Sequence, residues 1–175
     1  GCVLCYSSTD AVFPGEGAVD TRLMPAPRGG KFSTPLGEVS VGGVRTAGGR
    51  LRYGIFRESQ LAPGGPMGRD VNGNGTEDDA FLVVVADPVE AGRYDTVYVD
   101  TNGDRRFEDE AGMRVYRDSL GVDWFWSASG GTGRPGMGFV VADIAEDGER
   151  VVLGFDGNGH GTHVAGIAAG YRGGP

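Results

Sequence analysis

Residues 139–155 have the sequence FVVADIAEDGERVVLGF, in which two apolar segments flank a short acidic turn. The segments 139–144 and 151–155 are rich in β-branched and aromatic residues, which favour strands. The Asp147-Gly148 step between them favours the positive backbone angles of a two-residue hairpin turn. This stretch therefore predicts an antiparallel β-hairpin.

The same kind of pattern recurs upstream of this hairpin. Residues 81–85 form a continuous apolar run, which is typical of a strand covered on both faces, and residues 96–100 predict another strand. Residues 38–41 and 51–56 alternate with period two around the turn at 46–49, which predicts a second hairpin. We therefore expect the larger part of the chain to be a loop-rich, largely antiparallel β structure.

The composition limits the classes of protein and partner. The chain has 175 residues, of which 34 are glycine and 9 are proline, and its hydrophobic fraction of 39% suffices for one core. A formal net charge of −8 disfavours nucleic acids and anionic membrane surfaces as partners and favours cations. The longest clear apolar run, residues 81–86, is much shorter than the roughly 20 residues that cross a bilayer. The start at Gly1, with no basic and apolar leader behind it, leads us to expect a fragment of a longer chain.

Two loops carry alternating oxygen-bearing side chains, and both begin with the D-x-N-x-[DN] spacing that surrounds a hard cation. Calcium is the ion that this spacing favours, although Asp, Asn and Gly also form ordinary turns, so both interpretations stay open. Neither loop is an EF-hand, because Phe81 and Arg105 occupy positions where that loop needs glutamate and glycine. The candidate ligands are Asp70, Asn72, Asn74 and Asp78 in the first loop, and Asp100, Asn102, Asp104 and Glu108 in the second.

Both histidines of the chain, His160 and His163, lie in the sequence DGNGHGTHVAGIAAG at residues 156–170. An Asp/Asn/Gly turn followed by a run of small residues predicts a loop that leads into a closely packed helix. Together with Cys2 and Cys5, the two histidines formally complete a zinc-like C-x2-C and H-x2-H set. We set zinc aside in favour of the longer motif around His160.

The motif H-G-T-H-V-A-G-I-A-A-G at residues 160–170 resembles the histidine box of subtilisin-like serine peptidases (subtilases). The resemblance implies that His160 is the general base of a Ser/His/Asp triad and that His163 is a structural histidine. It also implies peptide or protein substrates, no organic cofactor and a secreted or extracellular location. The family's serine box does not occur in this sequence, so we expect the chain by itself to be inactive.

The triad aspartate has two candidate positions. Asp100 ends an apolar strand, as the family's aspartate does, but Asn102 replaces the glycine of the family's D-[TS]-G motif. The alternative is an aspartate box upstream of Gly1, as in tripeptidyl-peptidase-like subtilases, in which a mostly β insertion separates the aspartate and histidine boxes. Three regions follow from this resemblance: residues 1–12 as the end of a preceding core segment or a disordered terminus, residues 13–155 as the insertion, and residues 156–175 as the histidine-box loop and helix.

The sequence thus predicts a mixed α/β, β-rich fold, in which an antiparallel insertion leads into the start of a parallel subtilisin-like core with one buried C-terminal helix. The predicted function is that of a serine endopeptidase fragment. The alternative is a stand-alone acidic β module that binds calcium or a protein partner and has no catalytic activity. The sequence does not indicate an oligomeric state.

Overall fold

The computed structural model describes residues 16–61, 68–126 and 136–155. Ten strands are found in these ranges, together with a 3-10 turn at Glu58–Gln60 and one short α-helix. The elements are β1 (Glu16–Asp20), β2 (Arg22–Pro25), β3 (Lys31–Thr34), β4 (Gly37–Ser40), β5 (Arg50–Arg57), β6 (Ala80–Ala86), β7 (Thr96–Val99), α1 (Tyr116–Ser119), β8 (Asp123–Trp124), β9 (Gly138–Ile144) and β10 (Arg150–Phe155).

The strands form two four-stranded sheets and one separate hairpin. Sheet A has the order β1-β10-β9-β8, sheet B has the order β2-β5-β6-β7, and β3 pairs with β4. Every pairing between these strands is antiparallel. Buried residues from both sheets form one hydrophobic cluster, so sheets A and B face each other as a β-sandwich.

The predicted mixed α/β class is wrong for this chain, because the described residues form an antiparallel β structure with no parallel core. The only α-helix in the described ranges has four residues, which is too short to cross back between parallel strands. The final strand, β10, lies between β1 and β9 and runs antiparallel to both. The predicted C-terminal helix falls in residues 156–175, which lie outside the described residues.

Strand β6 lies at the centre of the core and is covered on both faces, which confirms the prediction from its continuous apolar run. Phe81, Val83 and Val85 belong to the cluster between the two sheets. Leu82 and Val84 point the opposite way, into a second cluster that the β3-β4 hairpin and Phe107 cover. Since side chains alternate along a strand, a run without polar residues is needed for burial on both faces.

One of the two predicted hairpins is confirmed and the other is wrong. β9 and β10 pair as predicted, and Gly148 has the expected positive φ of 73°, but the turn is longer than two residues because Ala145 donates its N–H to the carbonyl of Arg150. β4 does not pair with β5, because β4 pairs with β3, whereas β5 pairs with β2 and β6. The period-two pattern identified these strands but carries no information about their partners.

The described region begins and ends on neighbouring strands. Glu16 at the start of β1 is paired with Gly154 near the end of β10. Phe155 follows at once and is nearly buried among aromatic rings, with its ring centroid 5.4 Å from that of Phe56. The polypeptide therefore enters and leaves the sandwich at the same corner of sheet A.

Candidate functional site

The two acidic loops lie at the same end of sheet B. Loop 1 (residues 70–79) comes directly before β6, and loop 2 (residues 100–110) comes directly after β7. β6 and β7 are antiparallel neighbours, with Val83 opposite Val99, so the start of one strand lies beside the end of the other. Asp100 donates its backbone N–H to the carbonyl of Leu82, which fixes loop 2 at this edge.

Loop 1 is held in shape by side-chain oxygens that accept backbone N–H groups. The carboxylate of Asp70 accepts from Asn74 at 3.0 Å and from Gly75 at 2.8 Å. Asn72 Oδ1 also accepts the N–H of Asn74, at 3.1 Å. Asn72 and Asn74 both donate their amide groups to the carboxylate of Asp79, which closes the loop. Four oxygen-bearing side chains thus face one another inside loop 1.

Loop 2 repeats much of this arrangement. Asp100 accepts the backbone N–H of Arg105 at 3.1 Å, and Asn102 accepts that of Asp104 at 2.9 Å. Asn102 donates its amide to Asp109 at 3.3 Å, the counterpart of the Asn72 to Asp79 bond. Each loop has two residues with positive φ, in the left-handed backbone region that favours glycine. In loop 2 one of these two residues is Arg105, which is not glycine and has a φ of 63°.

The carboxylates that accept the asparagine amides are those of Asp79 and Asp109. The predicted ligands Asp78 and Glu108 lie one residue earlier in each loop, and their role as calcium ligands stays a prediction. Glu108 instead accepts hydrogen bonds from Ser40 Oγ and, at 3.3 Å, from the backbone N–H of Gly42. The run of adjacent acids at the end of each loop contained the signal, but the sequence does not show which acid points inward.

Glu58 is a further buried carboxylate that sequence analysis did not single out. Its side chain is fully buried, and its two oxygens accept the N–H groups of Val71 at 2.8 Å and Asp79 at 2.9 Å. Burial raises the pKa of the Glu58 carboxyl, and these two hydrogen bonds oppose the rise. Glu58 therefore connects the two ends of loop 1 to the start of the 3-10 turn.

Two carboxyl groups of loop 2 have pKa values close to neutrality. Burial raises the pKa of Asp100 to about 6, against the opposing hydrogen bond from Arg105. Burial also raises the pKa of Glu110 to about 7, although the backbone N–H and the hydroxyl of Thr101 donate to it. A proton and a cation would compete for such carboxylates, because a bound cation favours their ionised form.

The fit of these loops to a metal ion is partial. Within residues 16–61, 68–126 and 136–155, no three His, Cys, Asp or Glu side chains are grouped closely enough to hold a metal ion. A cation in either loop would have to use asparagine or backbone oxygens beside the aspartates, which calcium accepts and zinc does not favour. The arrangement therefore suits a hard cation better than a transition metal.

The residues of the histidine motif and the N-terminal cysteines lie outside the described residues. These are His160, His163, Cys2 and Cys5, so the predicted general base and the zinc alternative both stay predictions. Asp100, the candidate triad aspartate on the described part, is 1% exposed and its carboxylate is turned toward the backbone of its own loop.

Comparison with known proteins relates the chain to the subtilisin-like proteases. One relative is pyrolysin from Pyrococcus furiosus (strain ATCC 43587 / DSM 3638 / JCM 8422 / Vc1), and the two sequences are 34% identical over 136 residues. The aligned region covers 78% of this chain and 9% of pyrolysin, so the chain corresponds to a small part of that protein. The similarity supports a subtilase-related protein and a relationship to serine peptidases.

No family model matches the chain, and no solved structure matches it. Among the helices of the described ranges, none has the length and apolar character needed to cross a membrane.

Proposed function

We propose that this chain is part of a subtilisin-like serine endopeptidase and contributes His160 as the general base of the Ser/His/Asp triad. The observation that carries the proposal is the similarity to pyrolysin over 78% of the chain, together with the H-G-T-H-V-A-G motif that begins at His160. In such a triad the imidazole takes the proton of the serine hydroxyl during attack and returns it to the leaving amine. The serine would come from another part of a longer polypeptide.

The position of the sandwich in the chain supports the assignment of residues 13–155 as an insertion. Glu16 and Gly154 are paired on neighbouring strands, so the first and last described strands lie side by side, as the two ends of a domain inserted into another must. His160 follows Phe155 by only five residues, which span at most about 18 Å when extended.

We also infer that the triad aspartate is not Asp100. A triad aspartate has to accept a hydrogen bond from the imidazole and to stay ionised beside it. Asp100 accepts hydrogen bonds from its own loop instead, and burial raises its pKa to about 6. An aspartate upstream of Gly1 is the assignment that we propose.

The test is a histidine substitution in the full-length protein. We expect His160→Ala to lower kcat for peptide hydrolysis by about 10⁴-fold or more, because triad members act as one unit. His163→Gln is the matched control and should keep kcat within about tenfold, and the melting temperatures of both variants distinguish a loss of catalysis from a loss of folding. An active His160→Ala enzyme would refute the role of His160.

The 175-residue chain alone should not react with a fluorophosphonate probe, and labelling of this chain would contradict the assignment of the serine to another segment.

A second proposed function is calcium binding by loops 1 and 2. The observation that favours it is that the two loops share one arrangement, with oxygen-bearing side chains at equivalent places: Asp70, Asn72, Asn74 and Asp79 in loop 1, and Asp100, Asn102, Asp104 and Asp109 in loop 2. Ordinary turns would need no repeated closing carboxylate. Calcium bound inside each loop would hold that loop in its observed shape and stabilise the folded chain by mass action.

Isothermal titration of metal-free protein with calcium tests this second function. We expect a dissociation constant below about 1 mM and a higher melting temperature in calcium, as for extracellular calcium modules. The absence of both heat and stabilisation would leave the loops as plain turns.

For location, we propose secretion, which rests on the relationship to pyrolysin; recovery of the full-length protein only inside cells would contradict it.

A further inference from the structure

A cavity of about 520 Å³ lies at the end of the sandwich opposite the acidic loops. It is lined by the connection between β6 and β7 (residues 90–95), by Val115, and by the end of β9 with the start of the turn that follows it (residues 144–146). Loops 1 and 2 come before β6 and after β7, whereas this connection joins the other ends of the same two strands. The cavity is therefore separate from the candidate calcium loops, and its volume is typical of ligand sites.

The floor of this cavity is apolar. Tyr94 and Val115 are buried and belong to the hydrophobic cluster between the two sheets, and Ile144 packs against that cluster. Ala91 and Ala145 add only small apolar side chains to the lining. An aliphatic chain that enters the cavity would therefore be removed from water against the edge of the core, which is favourable.

The charged residues that line the cavity are mainly acidic. Three of them carry carboxylates, Glu90, Asp95 and Glu146, and only Arg93 carries a basic group. Arg93 lies between two of these acids, with Nη1 3.8 Å from Glu90 Oε2 and Nε 3.5 Å from Asp95 Oδ2. Arg114 also pairs with Asp95, at 3.4 Å, whereas Glu146 takes part in no ion pair among the described residues. The lining thus already holds one guanidinium group and keeps a further carboxylate beside it.

This combination fits the side chain of an arginine or a lysine. Both side chains carry a charged head on an apolar stem, so the stem can cover the apolar floor while the head meets the carboxylates. A single metal ion fits less well, because the described Asp and Glu residues include no group of three that could hold one. The pair between Arg93 and Glu90 is no obstacle, because its side chains are 62% and 70% exposed and such a pair contributes little to stability.

We propose that this cavity binds a basic side chain of a peptide and serves the peptidase as an accessory site for basic substrates. The assignment of the peptide as a substrate rests on the proposed function. Glu146 receives the incoming guanidinium or ammonium group, and Glu90 joins it when Arg93 moves aside. Arg93 is then a competitor supplied by the chain itself, so its positive charge limits the affinity of the site. A segment of the same polypeptide would be a different occupant.

Peptide binding to the full-length protein tests the charge preference. The protein carries His160→Ala, so that a substrate stays intact, and the probes are a fluorescein-labelled peptide with a central arginine and the same peptide with neutral citrulline. We expect Glu146→Gln to lower the affinity for the arginine peptide by about fivefold and Arg93→Gln to raise it, with little change for the citrulline peptide. Glu149→Gln is the matched control, because Glu149 is an exposed acid of the same turn that does not line the cavity, and it should change neither affinity.

Two results would overturn the proposal. One is an arginine-to-citrulline affinity ratio that Glu146→Gln leaves unchanged in a protein with the parent melting temperature. The other is no binding of either peptide, which is the result expected if a segment of the same polypeptide fills the cavity.

Hydrolysis of the same peptides by the protein with His160 intact separates this inference from the proposed function. We expect Glu146→Gln to raise KM for the arginine peptide by about the same factor and to leave kcat unchanged, because the cavity binds the ground state and the transition state equally. Hydrolysis without a charge preference that depends on Glu146 refutes only the accessory site. Binding that depends on Glu146 without any hydrolysis supports the specificity of the cavity and refutes the peptidase assignment.

Discussion

Replacement of Phe125 by alanine should remove a large part of the stability of the sandwich. Phe125 is fully buried between sheets A and B, and its ring lies 4.6 Å from that of Phe81 and 4.9 Å from that of Phe139. Phe56 and Phe155 complete the group, at 5.9 Å and 6.1 Å. The four neighbouring rings belong to β5, β6, β9 and β10, which are strands of both sheets. The cavity left by the substitution therefore cannot close unless both sheets move.

The magnitude follows from the burial and from the ring contacts. Loss of a buried phenylalanine side chain costs about 3 to 5 kcal/mol, of which the cavity is one part. Each close aromatic pair contributes about 0.5 to 1.5 kcal/mol beyond its buried area, which places Phe125→Ala in the upper half of that range. Since a domain of this size has a free energy of unfolding of about 5 to 15 kcal/mol, the folded state of the variant should be only marginally stable.

Urea unfolding measures this effect directly. With a slope of about 2 kcal/mol per molar urea, the midpoint should fall by about 2 M in Phe125→Ala. Phe125→Leu should lose about 1 to 2 kcal/mol, and the exposed control Leu120→Ala less than about 0.5 kcal/mol. Circular dichroism and the fluorescence of the chain's two tryptophans should report the same midpoint, because one core joins both sheets. A loss below about 1 kcal/mol in Phe125→Ala, or two separate transitions, would refute a shared core.

Three further predictions concern pH, calcium and backbone packing. In the folded chain, burial raises the pKa of Asp100 to about 6 and that of Glu110 to about 7, whereas the pKa values of these groups in the unfolded chain are near 4. The stability that these two groups contribute is therefore complete below about pH 4 and is lost as the pH rises through 6 and 7. In chelator, the melting temperature should therefore be higher at pH 5 than at pH 8, and Glu110→Gln should flatten this slope; an unchanged slope would contradict the assignment. Asp79→Asn should weaken calcium binding to loop 1 by about tenfold or more whereas Asp78→Asn should not, and a reversed order in titration calorimetry would restore Asp78 as the ligand. Gly54→Ala places a Cβ 2.6 Å from both the Asp20 carbonyl oxygen and Val19 Cγ1 and should destabilise the chain by about 1 to 3 kcal/mol; a stability equal to that of the parent would show that β1 and β5 are further apart.

Some features of the fold follow from local sequence. The β9-β10 hairpin and the double burial of β6 were predictable because alternation, β-branching and turn residues act over a few neighbouring positions. The partners of β4 and β5 were not, since two strands with the same alternation differ only in contacts that are distant in the chain. The parallel core expected from the histidine motif was wrong for the described residues for a related reason: a motif of eleven residues carries no information about how the preceding strands pair.

The acidic loops show the same division between sequence and tertiary structure. The spacing of Asp, Asn and Gly by itself determined that residues 70–79 and 100–110 form two similar turns with inward-facing oxygens. Only the tertiary structure decided that both turns lie at one end of sheet B, that Asp79 and Asp109 close them, and that the buried Glu58 holds the ends of the first. The physical reason is that hydrogen bonds within a turn depend on nearby residues, whereas burial, strand order and the resulting pKa shifts depend on which distant segments exclude water from the same place.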